Sequence, residues 1–377
     1  MKQIYLDNAA TTRMKKEVLD SMKVYLDYEF ANPNANYPFA KKSQKAINEA
    51  RNNMADLIGA KADEIYFTSG GSESDNWAIK TIAENYKDKG CHMITSLIEH
   101  HAVLNTMKWL EKIGFEVTYV KPQKNGIVAV EDISKAIRND TILISIMTAN
   151  NEIGTIQPIK EIGALARKNK ILFHTDAVQA VGHIPIDVKK MKIDLLSASG
   201  HKFYGPKGVG FLYVRSGVKI SSFIHGGGQE YGLRAGTYNV PGIVGMGEAA
   251  RLELNNDSTG NTIELRNRMI KRILEEIPET SLNGDNEKRL PNNVNICFGQ
   301  IDSESILAML GASGICASAG SACTSGDPEP SHVLLSIGLN KTQARSSIRL
   351  TLSDDNTIED VDYTVDELKK IITMLKK

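Results

Sequence analysis

Cys323 lies in Ser318-Ala319-Gly320-Ser321-Ala322-Cys323-Thr324-Ser325-Gly326, a run of the smallest residues. Glycine and serine flanks leave a backbone loose and a thiol unshielded, whereas packing cysteines more often have large apolar neighbours. Such a thiol reads as a nucleophile on a tether, able to react in a site and carry its product away. Other clusters could build that site. Thr68-Ser69-Gly70-Gly71-Ser72-Glu73-Ser74 joins a strand-like run to a helical one. Glycines allow close approach there, and helix-terminal amides with hydroxyls bind an anion. The plainer reading is a capping turn with Ser72 as N-cap. The segment is not a Walker A loop, because the G-x-x-x-x-G-K spacing is absent.

Asp176 ends another apolar run, as a helix cap or as the partner of a cationic ring nitrogen, with Gln179 near it if the chain turns helical. An acid facing a pyridinium nitrogen is what pyridoxal phosphate needs as an electron sink. Ser199-Gly200-His201-Lys202 ends a third run, and Lys202 there suits a Schiff base. Lys207 is close by, and either lysine could instead be a surface residue; the strand-end position favours Lys202. Arg349, in Ser346–Leu350, is either an edge-strand surface arginine or a bidentate clamp for a carboxylate. Glu99-His100-His101 lacks the spacing of a zinc set, and so do Cys316 and Cys323. His100 fits ring stacking or solvent better. Cys91 and Cys297 lie in apolar strand patterns and read as packing residues.

The elements that must position these residues alternate. Strand-like runs at 64–68, 92–95, 116–120, 142–147, 171–175, 193–197 and 209–214 are separated by amphipathic stretches such as 42–58, 74–86, 102–113 and 159–168. That alternation predicts an α/β fold with a largely parallel sheet. Ligands in such sheets bind at the carboxyl ends of the strands, where Ser69–Glu73, Asn150-Asn151-Glu152, His174–Asp176 and Ser199–Lys202 all fall. After Gly226-Gly227-Gly228-Gln229, helices are expected at 240–254 and 263–277, with a hinge in 253–261. Strands at 293–297 and 346–351 and a helix at 358–375 then form a smaller α+β domain.

The chain has 377 residues, so two domains are expected. Lys+Arg and Asp+Glu both number 45, so no basic excess points to nucleic acid. No apolar run is long enough to span a bilayer, and none near Ile4–Asp7 resembles a signal peptide. Four scattered cysteines suit a reducing cytoplasm rather than a disulfide framework.

Tyr5-Leu6-Asp7-Asn8-Ala9-Ala10-Thr11-Thr12 resembles the opening of class V, fold-type-I pyridoxal-phosphate enzymes. Residues 68–76, 99–104, 150–154, 176–179, 199–208, 226–237 and 320–334 are similar, in order and spacing, to the cysteine desulfurases of the NifS/IscS type. The resemblance implies a fold-type-I transferase with a seven-stranded, mainly parallel sheet in a large domain (16–255) and a small domain (1–15 and 256–377) carrying the cysteine loop. It implies pyridoxal 5'-phosphate on Lys202, with Asp176 at the ring nitrogen, Gln179 at the phenolic oxygen and Asn151 also in contact. His100 would stack on the ring and shuttle a proton. Gly71, Ser72, Ser199 and His201 would hold the phosphate, with Thr237 reaching it from the partner of a homodimer. Arg349 and Asn32 would bind the substrate carboxylate, and Cys323 would be the nucleophile.

The implied reaction turns L-cysteine into L-alanine and a persulfide on Cys323, for an iron–sulfur scaffold protein, a tRNA-thiolation enzyme or another acceptor. No resident metal is implied, and at most a transient contact of Cys323 with an iron–sulfur cluster. Selenocysteine lyase, another class V enzyme or a non-catalytic sulfur-relay protein are the alternatives. The chain departs from the family at Asn32-Pro33-Asn34-Ala35-Asn36-Tyr37-Pro38-Phe39-Ala40, where Tyr37 and Ala40 replace a usual histidine and glycine. Ser72 stands where threonine is common. The sequence also lacks the C-terminal extension that some IscS proteins use near a scaffold.

Overall fold

The computed structural model describes residues 3–256, 259–319 and 330–376. Strand β1 (Ile4–Tyr5) is followed by helices α1 (Lys16–Asp27) and α2 (Ala40–Ile58). Strands and helices then alternate: β2 (Ile65–Thr68), α3 (Gly71–Tyr86), β3 (His92–Ser96), α4 (His101–Lys112), β4 (Glu116–Val120), α5 (Val130–Ala136), β5 (Thr141–Ser145), α6 (Ile159–Lys168) and β6 (Leu172–Asp176). β7 (Leu195–Ser199) and β8 (Gly210–Val214) complete a seven-stranded sheet in the order β2-β8-β7-β6-β5-β3-β4. All pairings are parallel except those of β8 with β2 and β7. β2 therefore runs with β3, β5, β6 and β7, and their carboxyl ends share one edge.

The strands read as continuous apolar runs because both sheet faces are covered. Met93, Leu143 and Leu195 enter one core cluster with Trp77 and Ile82 of α3 and Met107 of α4. Their neighbours Ile94, Ile144 and Leu196 enter another with Met54 of α2, Ile162 of α6 and Met246 of α7 (Val240–Leu254). Successive strand side chains point to opposite faces, so each Leu-Leu or Met-Ile pair serves two layers.

The remaining elements are α8 (Thr259–Glu276), β9 (Thr280–Leu282), β10 (Asn293–Phe298), α9 (Ser303–Ala312), β11 (Ile315–Cys316), α10 (His332–Ser336), α11 (Lys341–Arg345), β12 (Ser347–Thr351) and α12 (Ile358–Leu375). β12-β10-β9 form an antiparallel sheet. A third core cluster packs Ile4 and Leu6 with Met269, Val294, Ile296, Ile348, Leu350 and Leu368. The N-terminus reaches it through β1 beside β11 and a bridge from Asp7 to Thr351.

Several boundaries differ from the sequence expectation. β6 and β7 extend to Asp176 and Ser199, so these polar residues end strands rather than follow them. α3 starts at Gly71 with Gly70 as its N-cap, which corrects Ser72 as the cap. Cys91 lies half-buried in a bend just before β3, whereas Cys297 is a buried strand residue. Gln179 follows Asp176 in turns, not a helix.

Candidate active site

The carboxyl edge of β2, β5, β6 and β7 opens into a cavity of about 240 Å³. That exceeds by far the ~30 Å³ share of one water. The N-terminal segment closes one side of it. Lys202, in a 3-10 turn directly after β7, donates its Nζ to the carbonyls of Ala9 at 2.6 Å and Ala10 at 2.9 Å. Gln179 Nε2 donates to the same Ala9 carbonyl at 3.0 Å. Thr12 locks the segment to the lysine turn: its amide donates to His201 O, and its hydroxyl accepts from Tyr204 N.

An anion cradle lies at the start of α3. First-turn amides of a helix lack intrahelical acceptors and carry the positive end of its dipole. A Cβ on Gly71 would stand 2.5 Å from Val178 Cγ2, so a larger residue there requires Val178 or the helix start to shift. Ser72, Ser199 and His201 line the same cavity. His201 Nδ1 pairs with Thr11 Oγ1 at 3.1 Å. Burial, then the Lys202 and Lys207 charges, push His201 down to about 4, so it is neutral.

At the other end Asp176 is buried, and its Oδ1 accepts from Val178 N at 2.9 Å. Burial raises its carboxyl, while His100, that hydrogen bond and Lys202 oppose the rise. His100 N-caps α4, with Nδ1 accepting from Ala102 N at 3.1 Å. A backbone N–H can only donate, so the neutral ring carries its hydrogen on Nε2. His332 is the opposite case. Its Nε2 donates to Glu99 O at 3.0 Å, which leaves Nδ1 without the hydrogen.

Arg349 is buried on β12, donating to Asp7 Oδ1 at 2.7 Å and to Asn151 O at 2.9 Å. The edge-strand placement holds, but Arg349 is no surface residue. Glu152 accepts a short hydrogen bond from Ser331, and burial raises its carboxyl.

One cavity thus brings together Lys202, His100, Gly71, Ser72, Asn151, Asp176, Gln179, Ser199, His201 and Arg349. Asn32 is not among the lining residues; it is exposed, with Oδ1 accepting from Asn34 N at 3.0 Å. Thr237 is exposed and lines a separate cleft with Thr68 and Arg234. Cys323 lies outside the described residues. Sequence reasoning gave no role to the Ala9 and Ala10 carbonyls, Asp75, Glu152 or His332, which line the cavity as well. Asp75 did carry a signal: it shares a helical stripe with Ala78, Ile79 and Ile82, where an acid is out of place.

A doubly wound sheet with a lysine, an acid and an anion cradle at its carboxyl edge defines a class, and the chain belongs to the class-V aminotransferase family, whose model matches residues 4–364. Its relatives narrow this to the cysteine desulfurases of the NifS/IscS type. "Cysteine desulfurase IscS" of Methanosarcina thermophila is 56% identical over 100% of this chain and 93% of its own length. A solved "NIFS-LIKE PROTEIN" has a TM-score of 0.93 at 38% identity, covering 99% of this chain and 100% of that one. "SspA in complex with cysteine" has a TM-score of 0.84 at 42% identity, covering 94% and 100%.

Members of this family use pyridoxal phosphate, and the cavity fits it. The α3 terminus with Ser72 and Ser199 suits a phosphate ester, Asp176 suits a protonated ring nitrogen, and Lys202 suits an aldehyde. Among the described residues, no helix is long and apolar enough to cross a membrane.

Proposed function

We propose that this chain converts L-cysteine to L-alanine and receives the sulfur on Cys323 as a persulfide. The observation that carries this reading is the convergence of Lys202, Asp176 and Arg349 on one cavity. When bound, pyridoxal phosphate supplies an electrophilic carbonyl for the substrate amine and a conjugated ring that takes up electron density. Gly71, Ser72, Ser199 and His201 hold its phosphate, Asp176 its ring nitrogen, and Gln179 and Asn151 its flank.

Arg349 holds the substrate carboxylate as a fork, already aimed by Asp7 and Asn151. Lys202, as the free amine, takes the α-proton, and the Ala9 and Ala10 carbonyls receive the resulting ammonium. His100 presents Nε2–H to the cavity. It accepts the substrate thiol proton only as Nδ1 releases or shares the Ala102 amide, so proton uptake is coupled to the α4 cap. The Cys323 thiolate attacks the substrate sulfur. The Cβ–S bond breaks, an S–S bond forms, and the carbon keeps the electron pair and is protonated to a methyl group.

The working unit in this reading is a homodimer, with Thr237 turned to the partner's site. Its support is the run of exposed apolar side chains Leu26, Tyr28, Phe30, Tyr37 and Phe39 within residues 26–39, of which Phe30 and Phe39 pack edge to face at 5.3 Å. Tyr37 and Phe39 belong to the segment that departs from the family pattern. The persulfide passes to an iron–sulfur scaffold protein or a tRNA-thiolation enzyme in the cytoplasm. Turnover of L-cysteine, L-selenocysteine and L-cystine by the purified protein tests the reading. Alanine from cysteine with sulfide or persulfide supports it. Turnover of selenocysteine alone, or of none, overturns it.

A further inference from the structure

Among the described residues, Asp75 is the buried acid with both carboxyl oxygens unpartnered. It lies on α3 beneath the cavity, 1% exposed. Neither carboxyl oxygen makes a hydrogen bond of normal geometry. The nearest basic side chain is His174, with Nε2 3.6 Å from Oδ1. That imidazole cannot compensate an anion. Its nitrogens pair with the Ser145 hydroxyl at 2.8 Å and the Ser197 hydroxyl at 3.0 Å, and burial drives it to about 3, so it is neutral. The groups around Asp75 are otherwise acidic: Asp176, two residues beyond His174 on the same face of β6, and Glu99. The Lys202 cation acts on Asp176 instead.

A bare carboxylate buried this way is costly, and two acids facing each other do not both ionise readily. Asp176 has the Val178 amide and the Lys202 cation, whereas Asp75 has neither. We propose that Asp75 carries the single proton of the Asp75–Asp176 pair, and that this neutral acid is a positioning residue that leaves the charge on Asp176. Burial and the Asp176 charge both raise the Asp75 carboxyl, and the Ser197 hydroxyl offsets only part of that rise. The consequence is a cavity with a single, aimed anion for a ring cation. That consequence rests on the pyridoxal-phosphate reading, but the proton on Asp75 does not.

Asp75→Asn tests it, because an amide imitates the neutral acid at every pH. In holoenzyme at neutral pH, the variant's cofactor affinity stays within about twofold of wild type. A loss of about tenfold or more, in a variant that still folds, would mean that the negative charge is needed and overturns the proposal. The second readout needs no cofactor. An acid raised by folding binds its proton in the native state and loses it on unfolding, so stability falls as pH rises above the carboxylate range. The unfolding midpoint of wild type therefore falls more steeply toward alkaline pH than that of Asp75→Asn; parallel profiles overturn the proposal. If the variant fails to fold, wild-type holoenzyme with aspartate carboxyl carbons labelled decides by infrared spectroscopy. A protonated aspartate band at neutral pH supports the proposal, and its absence overturns it. Failure of cofactor binding in wild type would instead strike the function reading alone.

Discussion

The ammonium of Lys202 donates to the carbonyl of Ala9 at 2.6 Å, joining two residues 193 positions apart. The contact makes the N-terminal segment a wall of the lysine's site. Ala9 and Ala10 offer neutral carbonyl acceptors that hold the lysine Nζ at the cavity wall. Lys202→Ala removes the only group proposed to bond the cofactor covalently. Borohydride reduction followed by mass measurement then finds no cofactor-linked peptide, while wild type carries one on Lys202. A link at Lys207 would move the assignment.

Gly71→Ala places a methyl against Val178 Cγ2 at 2.5 Å, at the start of the anion cradle. Either Val178 shifts or the helix start does, at a cost of about 1–3 kcal/mol. Cofactor affinity falls along with the melting temperature, read by fluorescence titration and thermal unfolding. Ser72→Ala, which removes one hydroxyl without added volume, lowers affinity but leaves the melting temperature nearly unchanged.

Arg349→Lys keeps the charge and loses the fork that reaches Asp7 and Asn151. The KM for L-cysteine rises about tenfold or more, since one bidentate contact becomes a point charge. Steady-state kinetics on alanine formation checks it, and cofactor absorbance stays as in wild type.

Glu99 supplies a pH dependence with a defined sign. Burial drives its carboxyl to about 8, against hydrogen bonds from Ser96 and from Met147 N at 3.1 Å. The native state therefore holds a proton that the unfolded chain releases above the ordinary carboxylate range. Stability is full below that range and falls, by at most about 1.4 kcal/mol per pH unit from this group, until pH passes about 8. Glu99→Gln flattens that decline in thermal unfolding across the same interval.

Arg51 and Glu230 form a buried bidentate pair, with 2.7 and 2.8 Å contacts, and Glu230 also accepts from Phe67 N at 2.9 Å. The pair holds Glu230 and Tyr231 at φ 45° and 59°, a conformation unfavourable for side-chain-bearing residues. Arg51→Met strands the Glu230 charge and costs about 3–5 kcal/mol, read by denaturant unfolding.

Much of this architecture was legible because the strands are buried on both faces, which leaves an apolar signature such as Leu195-Leu196 in two clusters at once. Boundaries slipped at Asp176 and Ser199, where strands end in polar residues that face the cavity rather than the core. The cavity's lysine, acid and cradle followed from strand-end chemistry and family likeness. Ala9 and Ala10 were invisible as participants because they act through backbone carbonyls, which no side-chain pattern marks. β1 and β11, two residues each, form only through long-range pairing of Ile4 with Ile315, beyond any local pattern. Asn32 and Thr237 lie away from the cavity of a single chain, and their proposed roles depend on a partner or on substrate.

In the proposed reaction sulfur leaves L-cysteine onto Cys323. The most direct measurement is the mass of the Cys323 peptide after one equivalent of L-cysteine, with alanine counted in the same sample. One added sulfur on that peptide is expected for each alanine formed, and neither in Cys323→Ala, whose cofactor spectrum is intact. Stoichiometric alanine with an unmodified Cys323, or full alanine formation in Cys323→Ala, would contradict it.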